Sequence, residues 1–525
     1  MKTKQLKTTN NNKSKVVAAV AAITSAIVIA ISMLTLSFCT QASTTEANAY
    51  AANSATVQQL IEQTANRQGV PAITVAVVDN GDTRFYIYGE TKVNSGIAVD
   101  RYTYFGLGSV SKAYTALALL YLDYNSEFDF NLTDSLIKHI PWLSFNYRAE
   151  DFCTSEITIK NLIYHTSGIT NEAHSLRLPP SFGENASYDV VRLLNGASLQ
   201  FRPSSRYEYG SSNYIILGLV VQIVTGMSFG EFLTTRILNP LGLYNTKVCA
   251  SVVSNNGTMA SAHMQEWFRT SAFTPPKFDA HIPTGFINSN ASDMAMWLNL
   301  KLNPQLAIAP FNYLLQAALM PNTAVDAFNG SIFGMRGDFY YSAGWMVTTD
   351  GYQVVHLGES PGFLSAAWLM PQRDKAIAIL MNSSSGDVAN LLYNIVDVLL
   401  GYGVGDITSG SEFRLFDTIF AIISIAFGAI ALVLIVALIV KLAKILKGKS
   451  KLTRPKKGRI ALFILAILFT AISVGIMIIF PMLFNVGSWA IVNLWISQAV
   501  MVGFIVAIAV GVLSIVLGFV RVVFN

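Results

Sequence analysis

The sequence has little charge and little cysteine for its length. Only 13% of its 525 residues are charged, against 52% that are hydrophobic, and it contains three cysteines. Three cysteines are too few for a disulfide framework, although a single bridge between Cys153 and Cys249 stays open. The six histidines, at positions 139, 165, 174, 263, 281 and 356, lack metal-ligand spacing. We therefore expect no metal and no organic cofactor.

Acidic residues are missing between the long apolar runs near the C-terminus. Residues 441–459 contain nine Lys or Arg and no Asp or Glu, and residues 460–520 contain no charged residue. Apolar runs of about 20 residues are long enough to cross a bilayer. We predict transmembrane helices over residues 418–440, 460–484 and 494–520, with the basic linker and the C-terminus on the cytoplasmic side of the cell membrane.

The N-terminus predicts the same orientation. Five lysines precede the apolar run Val16–Phe38, which is the layout of a signal peptide or signal anchor. We assign residues 1–49 to this segment and residues 50–408 to an extracytoplasmic domain. Residues 50–413 contain 20 basic and 29 acidic residues, a net charge of −9 (20 − 29) within a chain of +5. Because the positive charge flanks the membrane segments, we expect no nucleic-acid partner.

Short β-rich segments lie near both ends of the outer domain. Ala72–Val78 and Thr83–Tyr88 flank Asn80-Gly81, which is a strong hairpin signal. More strands are predicted between Ala343 and Met381, and the sequence between the two groups is mostly helical in pattern. The pattern predicts an α/β domain in which an antiparallel sheet carries flanking helices and a helical insertion.

The first motif that can carry chemistry is Ser109-Val110-Ser111-Lys112, which precedes the apolar segment Ala113–Leu122. Backbone N–H groups at the start of a helix can stabilise a developing oxyanion. A lysine three residues after a serine lies on the same helical face, and burial can push it towards its neutral, basic form. Ser-x-x-Lys alone is a weak pattern, because an N-cap serine and a solvated lysine produce it as well.

Two further motifs follow in order, Tyr209-Gly210-Ser211 and His356-Leu357-Gly358. With them, residues 55–400 resemble the class C β-lactamases and the related low-molecular-weight penicillin-binding proteins and esterases. The blocks Asn161–Gly168 and Gly285–Met294 reinforce the resemblance. It implies a β-lactamase-like fold and a serine hydrolase that forms an acyl-enzyme.

The resemblance also implies roles for individual residues. Ser109 would be the acylated nucleophile, Lys112 its basic neighbour, and Tyr209 the group that moves the proton between nucleophile and leaving group. His356-Leu357-Gly358 would line the site. The backbone N–H of Glu359 would complete an oxyanion hole with that of Ser109. The identity of the acylation base stays open.

Departures from the family pattern bear on the substrate. Ser211 stands where Asn is usual and His356 where Lys is usual, which argues against efficient β-lactam hydrolysis. Prodrug-activating D-asparaginyl peptidases of the colibactin-maturing type combine an exported domain, three transmembrane helices and a serine as the last residue of the second motif, the position of Ser211 in this sequence. The resemblance to them implies that Ser211 and His281 hold a D-Asn amide. His165 is expected to brace a turn.

Several functions stay open at this point. We favour a peptidase that removes N-acyl-D-amino-acid caps from exported prodrugs. A cell-wall D-Ala-D-Ala carboxypeptidase, a residual β-lactamase or an esterase is the alternative, and a receptor for penicillin-like ligands without turnover is an alternative of another class. The expected partners are a peptide or acyl-amide substrate and the lipid bilayer. Gly503, Ala507 and Gly511 share one helical face, which suits a helix bundle or a homodimer.

Overall fold

The computed structural model describes residues 57–147, 154–169, 181–183, 185–249, 259–405, 412–452, 454, 456–483 and 489–524. The signal segment predicted for residues 1–49 lies outside the described residues, and so does Cys153, so both predictions stand untested. The chain divides into two compact units. The smaller one is described over residues 396–405, and everything discussed below belongs to the larger one, Val57–Ile395 with Ile407–Asn525.

An eight-stranded antiparallel sheet is the framework of the domain before the apolar helices, here called the sheet domain, with strand order β2-β1-β14-β13-β12-β11-β10-β9. Three two-stranded pairs, β3–β8, β4–β5 and β6–β7, lie outside it. The strands are β1 (Ala72–Asp79), β2 (Asp82–Gly89), β3 (Phe105–Gly106), β4 (Phe145–Asn146), β5 (Ala197–Ser198), β6 (Ala262–Glu266), β7 (Arg269–Phe273), β8 (Asn288–Ser289), β9 (Phe328–Asn329), β10 (Asp338–Tyr341), β11 (Met346–Thr348), β12 (Val354–Ser360), β13 (Phe363–Met370) and β14 (Lys375–Met381).

Helices precede, follow and interrupt the sheet strands along the chain. They are α1 (Val57–Gln68), α2 (Ser111–Tyr124), α3 (Leu136–His139), α4 (Ile159–Ile163), α5 (Ala186–Arg192), α6 (Ser211–Thr225), α7 (Phe229–Phe232), α8 (Ile282–Gly285), α9 (Ala291–Leu302), α10 (Phe311–Ala317), α11 (Val388–Leu399), α12 (Glu412–Leu446), α13 (Lys457–Leu483), α14 (Trp489–Val492) and α15 (Gln498–Val523). This arrangement confirms the predicted antiparallel sheet with flanking helices and a helical insertion.

The central strands of the sheet are covered on both faces. Strands β1, β13 and β14 consist largely of Val, Ile, Leu and Ala, and almost every residue in them is buried. Helix α9 packs on β1 and β14, and α1 packs on β1 and β2. The predicted hairpin at Asn80-Gly81 is present, and both residues have the positive φ angles (51° and 81°) that a tight two-residue turn requires.

Helix α2 is the central helix of the insertion. Eleven of its 14 residues are buried, because the helix packs against α6, α8 and α10. A stacked pair of rings, Tyr114 on Trp297 with centroids 4.0 Å apart, joins it to α9. The helix begins at Ser111, directly after a 3-10 turn over Gly108–Val110 that contains Ser109. The turn is therefore attached to the best-buried helix of the domain.

The β6–β7 hairpin was not predicted, because its turn lacks the usual sequence signal. The central turn residues are Trp267 and Phe268, with positive φ angles of 51° and 69°, where Asn-Gly is the common choice. Their backbone N–H groups donate to Oδ1 and Oδ2 of Asp417, at 2.8 Å and 2.7 Å. Charge-assisted hydrogen bonds of this kind offset the strain of two non-glycine residues at positive φ.

Asp417 joins the sheet domain to the C-terminal helices. Its side chain is fully buried, and besides the hairpin it accepts a hydrogen bond of 2.6 Å from Ser497 Oγ, at the start of α15. One carboxylate on α12 therefore binds the hairpin and α15 at the same time. The orientation of the hairpin over the helices depends on this group.

Helices α12, α13 and α15 are each long and apolar enough to cross a membrane. They overlap the three predicted spans: α12 exceeds its span at both ends, α13 begins three residues earlier and ends one residue earlier than predicted, and α15 begins four residues later and ends three residues later. Added methyl groups at Gly503 and Gly511 would meet Ser424 Oγ at 3.1 Å and Thr470 Oγ1 at 2.2 Å. The small-residue face of α15 therefore packs against both α12 and α13 of the same chain.

The buried carboxylate leads to a stability prediction. Asp417→Asn keeps the shape of the side chain but replaces one acceptor oxygen with an amide donor, so one turn N–H loses its partner. We expect a loss of about 1–3 kcal/mol of stability and faster hydrogen exchange at the amides of Trp267 and Phe268. Exposed Asp82→Asn on β2 serves as the control. Unchanged exchange in the Asp417 variant would contradict this account.

Candidate active site

Three of the predicted residues meet at one point. Lys112 Nζ lies 3.0 Å from Ser109 Oγ, and the Tyr209 hydroxyl donates to the same Oγ at 2.9 Å. The 3-10 turn and α2 supply Ser109 and Lys112, while Tyr209 comes from the segment before α6. The serine oxygen is thus contacted by an amine and a phenol, which are the groups needed to remove and to return a proton.

The amine of Lys112 is removed from water. The side chain is 0% exposed, and Nζ donates to the backbone oxygen of Thr284 at 2.7 Å. One turn further along α2, Thr115 Oγ1 donates to the oxygen of Pro283 at 2.7 Å, so α8 is held against α2. Burial without a counter-charge lowers the pKa of Lys112 well below its usual range. A neutral amine beside Ser109 can accept its proton.

The turn that carries Ser109 is in close backbone contact with strand β12. A methyl group added to Gly108, which has φ of 50°, would lie 2.3 Å from Glu359 N, and one added to Gly358 would lie 2.1 Å from Leu107 O. Only glycine permits this approach at either position. Ser365 Oγ donates to Leu107 O at 2.6 Å and secures the contact. The backbone of Glu359 is consequently brought next to the turn that contains Ser109.

Tyr209 is held by buried rings and by backbone contacts. His165, buried and at φ of 55°, lies beneath it with ring centroids 4.5 Å apart, and its Nδ1 accepts from Gly210 N at 3.3 Å. His165 therefore braces the turn, in agreement with the expectation. Burial raises the pKa of the Tyr209 phenol, against a smaller opposing effect of hydrogen bonds with Ser109 and Ser211. The phenol is a proton donor at neutral pH, and Ser211 contacts it.

His356 points into the site but is uncharged. It is 1% exposed, its Nδ1 lies 2.6 Å from Leu357 O, and its Nε2 lies 3.3 Å from the Tyr341 hydroxyl. Burial, and secondarily the nearby Lys112, lower the pKa of His356 to about 3. The position that is usually a lysine in this type of motif therefore contributes no positive charge.

A cavity of about 610 Å³ opens above Ser109. Its walls are largely apolar, and its charged members are both acidic: Glu359, which is exposed to it, and the half-buried Asp387. Asp387 also caps α11 by accepting from Asn390 N at 2.9 Å. The lining residues are Ser109, Tyr209, Ile332, Phe333, Gly334, Met346, His356, Leu357, Gly358, Glu359, Leu364, Ser384, Gly386, Asp387, Val388 and Ala389.

Of the predicted substrate-binding residues, Ser211 does not line this cavity, and neither does His281. It is buried between Phe278 and Phe286, its pKa is lowered to about 4 by burial, and its Nδ1 has no hydrogen-bond partner among the described residues. Sequence reasoning missed Phe333, which lies in a 3-10 turn, and Ser384 and Asp387, which lie in the loop between β14 and α11; none of them belongs to a motif. No cluster of three or more His, Cys, Asp or Glu that could hold a metal occurs among the described residues.

Comparison with known proteins identifies the family to which this chain is similar. The family model described as Beta-lactamase matches residues 57–400. Protein flp of Staphylococcus aureus (strain COL) is 27% identical over 341 residues, and Unguisins hydrolase ungD' of Aspergillus campestris (strain IBT 28561) is 25% identical over 356 residues. Each match covers 65% of this chain and 65% or 64% of the relative, so the chain spans slightly less than two thirds of their length.

Solved structures show the same fold. The octameric penicillin-binding protein homologue from Pyrococcus abyssi has a TM-score of 0.56 at 17% identity, covering 69% of this chain and 80% of that one. The crystal structure of SurE has a TM-score of 0.53 at 20% identity, covering 67% and 77%. At these identities the likeness concerns the fold alone.

The lowered pKa of Lys112 predicts a pH profile. If the neutral amine takes the proton from Ser109, the rate of Ser109 acylation falls as the pH drops through the pKa of Lys112. Since burial lowers that pKa, we expect the inflection well below the ordinary lysine value of 10.5. Stopped-flow labelling with a fluorescent phosphonate measures it. A rate that rises only around the ordinary lysine value would argue against the desolvated amine.

Two neighbouring tyrosines offer a matched pair of variants. Tyr209→Phe removes the donor to Ser109 Oγ, so we expect amide hydrolysis to fall by about 10²–10⁴-fold, and ester hydrolysis to fall less because an alkoxide can leave without protonation, whereas the amide nitrogen must be protonated before it leaves. Tyr207 is buried, and its hydroxyl has no hydrogen-bond partner among the described residues. Tyr207→Phe should therefore keep full activity. Equal losses in both variants would mean that the effect is one of packing.

Proposed function

Because the chain belongs to the beta-lactamase family of serine hydrolases, we propose that it is a membrane-anchored, extracytoplasmic amidase or peptidase. Its proposed substrates are uncharged acyl amides, with the N-acyl-D-asparaginyl caps of exported prodrugs as the favoured class. The observation that carries the proposal is the desolvated amine of Lys112, 3.0 Å from the oxygen of Ser109.

The reaction follows from the positions of the three polar groups. Ser109 Oγ attacks the substrate carbonyl carbon while its proton passes to Lys112, and the carbonyl oxygen becomes an oxyanion facing the N–H groups of Ser109 and Glu359. The carbon–nitrogen bond then breaks, and Tyr209 delivers the proton held by Lys112 to the leaving nitrogen. Water hydrolyses the acyl-serine ester by the same steps in reverse order.

The charges in the cavity support an uncharged substrate. The described lining residues contain no Lys or Arg, His356 is neutral, and the other ionisable groups are the carboxyl groups of Asp387 and of Glu359, whose pKa is raised by burial. Lys112 is buried beneath Ser109 and is needed there as a base. A carboxylate next to the cleaved bond, as in β-lactams and D-Ala-D-Ala peptides, would find no cation and would be repelled. A substrate that ends in an amide avoids this cost.

The apolar wall supports an acyl group on the substrate. Ile332, Phe333, Met346, Leu357 and Val388 face the cavity, and Ile332 is 69% exposed. Covering such side chains with an acyl chain is favourable at about 25 cal/mol per Å² of apolar surface.

The polar side chain of the substrate would be bound next to Tyr209. Ser211 contacts this tyrosine, and we propose that its hydroxyl binds a small amide side chain of the substrate. Neither Ser211 nor His281 is a lining residue of the cavity, but Ser211 contacts the lining residue Tyr209, whereas His281 would take part only after moving. We therefore place the D-Asn selectivity mainly on Ser211.

The membrane part of the proposal follows from three apolar helices and from the basic linker between α12 and α13. With that linker in the cytoplasm, the sheet domain lies on the outer side. The hairpin turn next to Asp417 then reaches the outer interface with Trp267 and Phe268, which are 36% and 45% exposed. Aromatic side chains are typical of this depth.

The deciding experiment uses the full chain in detergent, with Ser109→Ala as the inactive control. Mass spectrometry follows an N-myristoyl-D-asparaginyl amide, its L-Asn epimer, and a D-Ala-D-Ala peptide as free acid and as C-terminal amide. We expect cleavage of the D-Asn compound, loss of that cleavage in the variant, and little turnover of the free acid. Preferred cleavage of the D-Ala-D-Ala acid would refute the proposal and indicate a cell-wall carboxypeptidase.

A further inference from the structure

A second cavity, of about 290 Å³, lies beside the turn that carries Ser109. Gly106, three residues before Ser109, lines it, and so does Ser360, which directly follows Glu359 of the first cavity. Gly285 forms another part of the wall, and a methyl group added to it would lie 3.8 Å from the carbonyl carbon that precedes Ser109. The described lining residues are Gly106, Met259, Ala260, Ser261, Ala262, Phe273, Thr274, Pro275, Pro276, Gly285, Phe286, Asn288, Ser360, Pro361 and Phe363.

The two cavities are separated by the end of the ribbon that β12 forms with β13. Successive side chains of a strand point to opposite faces of the sheet. The paired residues Glu359 and Leu364 line the first cavity, and the next pair, Ser360 and Phe363, lines the second. Two spaces on opposite faces of this ribbon are therefore adjacent to the turn of the nucleophile.

The second cavity is apolar and uncharged. Among its described lining residues there is no Asp, Glu, Lys, Arg or His, whereas the first cavity contains two carboxyl groups. The amide nitrogen of Asn288 already donates to the backbone oxygen of Cys249 at 2.7 Å. The largest side chains in the wall are Met259, Phe273, Phe286 and Phe363. Such a wall favours a hydrocarbon ligand, because covering apolar surface contributes about 25 cal/mol per Å².

The size of the second cavity fits one substituent rather than a whole ligand. Sites for complete small molecules usually measure about 300–1,000 Å³, and the first cavity, at about 610 Å³, falls within this range. The second cavity, at about 290 Å³, lies just below it. It is therefore suited to a part of a substrate whose reacting carbonyl lies at Ser109.

The β6–β7 hairpin leads from the second cavity to the apolar helices. Ala262 at the beginning of β6 and Phe273 at the end of β7 line the cavity. The turn at the far end of the hairpin is bonded to Asp417 on α12. Four residue steps along β7 span about 13 Å at about 3.3 Å each. A hydrocarbon chain in the cavity is thus a short distance from the helices that we place in the bilayer.

We propose that the second cavity binds a hydrocarbon group of the substrate, in addition to the apolar group covered by the first cavity. The inference rests on the proposed function and deepens it: the substrates are lipid-like amides with two apolar groups, which reach Ser109 from the membrane surface. The added group is attached to the acyl side or to the amine side of the cleaved bond, and reagents that carry it on one side each distinguish the two.

The test measures the rate of Ser109 labelling by four aryl phosphonates, with the full chain in detergent and Ser109→Ala as the background. Ser109 Oγ attacks the phosphorus and the aryloxide leaves. One pair of reagents carries methyl or decyl on phosphorus, which represents the acyl side, and the other pair carries hydrogen or decyl on the aryloxy group. We expect one decyl reagent to react at least about ten-fold faster than its short partner, the gain from covering about 60 Å² of apolar surface.

Two variants of the cavity test whether this gain arises there. Thr274→Trp fills the mouth, since Thr274 is an exposed lining residue, and Thr83→Trp makes the same change on the exposed part of β2. Ser261→Asp places a carboxylate in the wall without filling the cavity, and half-buried Ser271→Asp on β7, outside the lining, is its control. We expect both cavity variants to react with the decyl reagent no faster than with its short partner, and both controls to behave as wild type.

The short reagents separate the failure of this inference from the failure of the proposed function. Labelling by the short reagents, together with a decyl gain that survives both cavity variants or falls equally in the controls, would overturn the second binding site and leave the hydrolase in place. No labelling of the wild type by any reagent would overturn the proposed function and this inference together.

Discussion

The dehydration of one amine determines much of the architecture around the candidate site. Lys112 keeps its Nζ beside Ser109 only because α8 closes over it and offers the oxygen of Thr284. Water at this position would restore the charge of the amine and remove its capacity as a base. The apolar surroundings of α2, the bond from Thr115 to Pro283 and the rings around Tyr209 all act to keep the amine dry.

The sheet contributes through a single backbone contact. Gly108 and Gly358 allow the turn before α2 and strand β12 to approach more closely than any residues with a Cβ could. This contact joins the helical insertion to the sheet at the position of the nucleophile. The wall of the cavity and the two N–H groups near Ser109 therefore come from different layers of the domain, and a shift of one layer changes the site.

Charge is distributed along the chain in a consistent way. The cavity above Ser109 has two carboxylates and a neutral histidine, whereas the opposite end of the apolar helices has four clustered cations. Asp417 lies between these regions and bonds the hairpin to two of the helices.

The sequence by itself determined the features that depend on neighbouring residues: the Asn80-Gly81 turn, the apolar helices, the sheet strands and the pairing of Ser109 with Lys112. Such features follow from local periodicity and turn chemistry. Only the tertiary structure decided that Thr284, 172 residues from Lys112, supplies its hydrogen-bond acceptor, that Asp417 stabilises a turn 150 residues away, and that His281 lies outside the cavity. A backbone oxygen has no residue signature, and a contact between distant segments depends on how the layers pack, which no local pattern encodes.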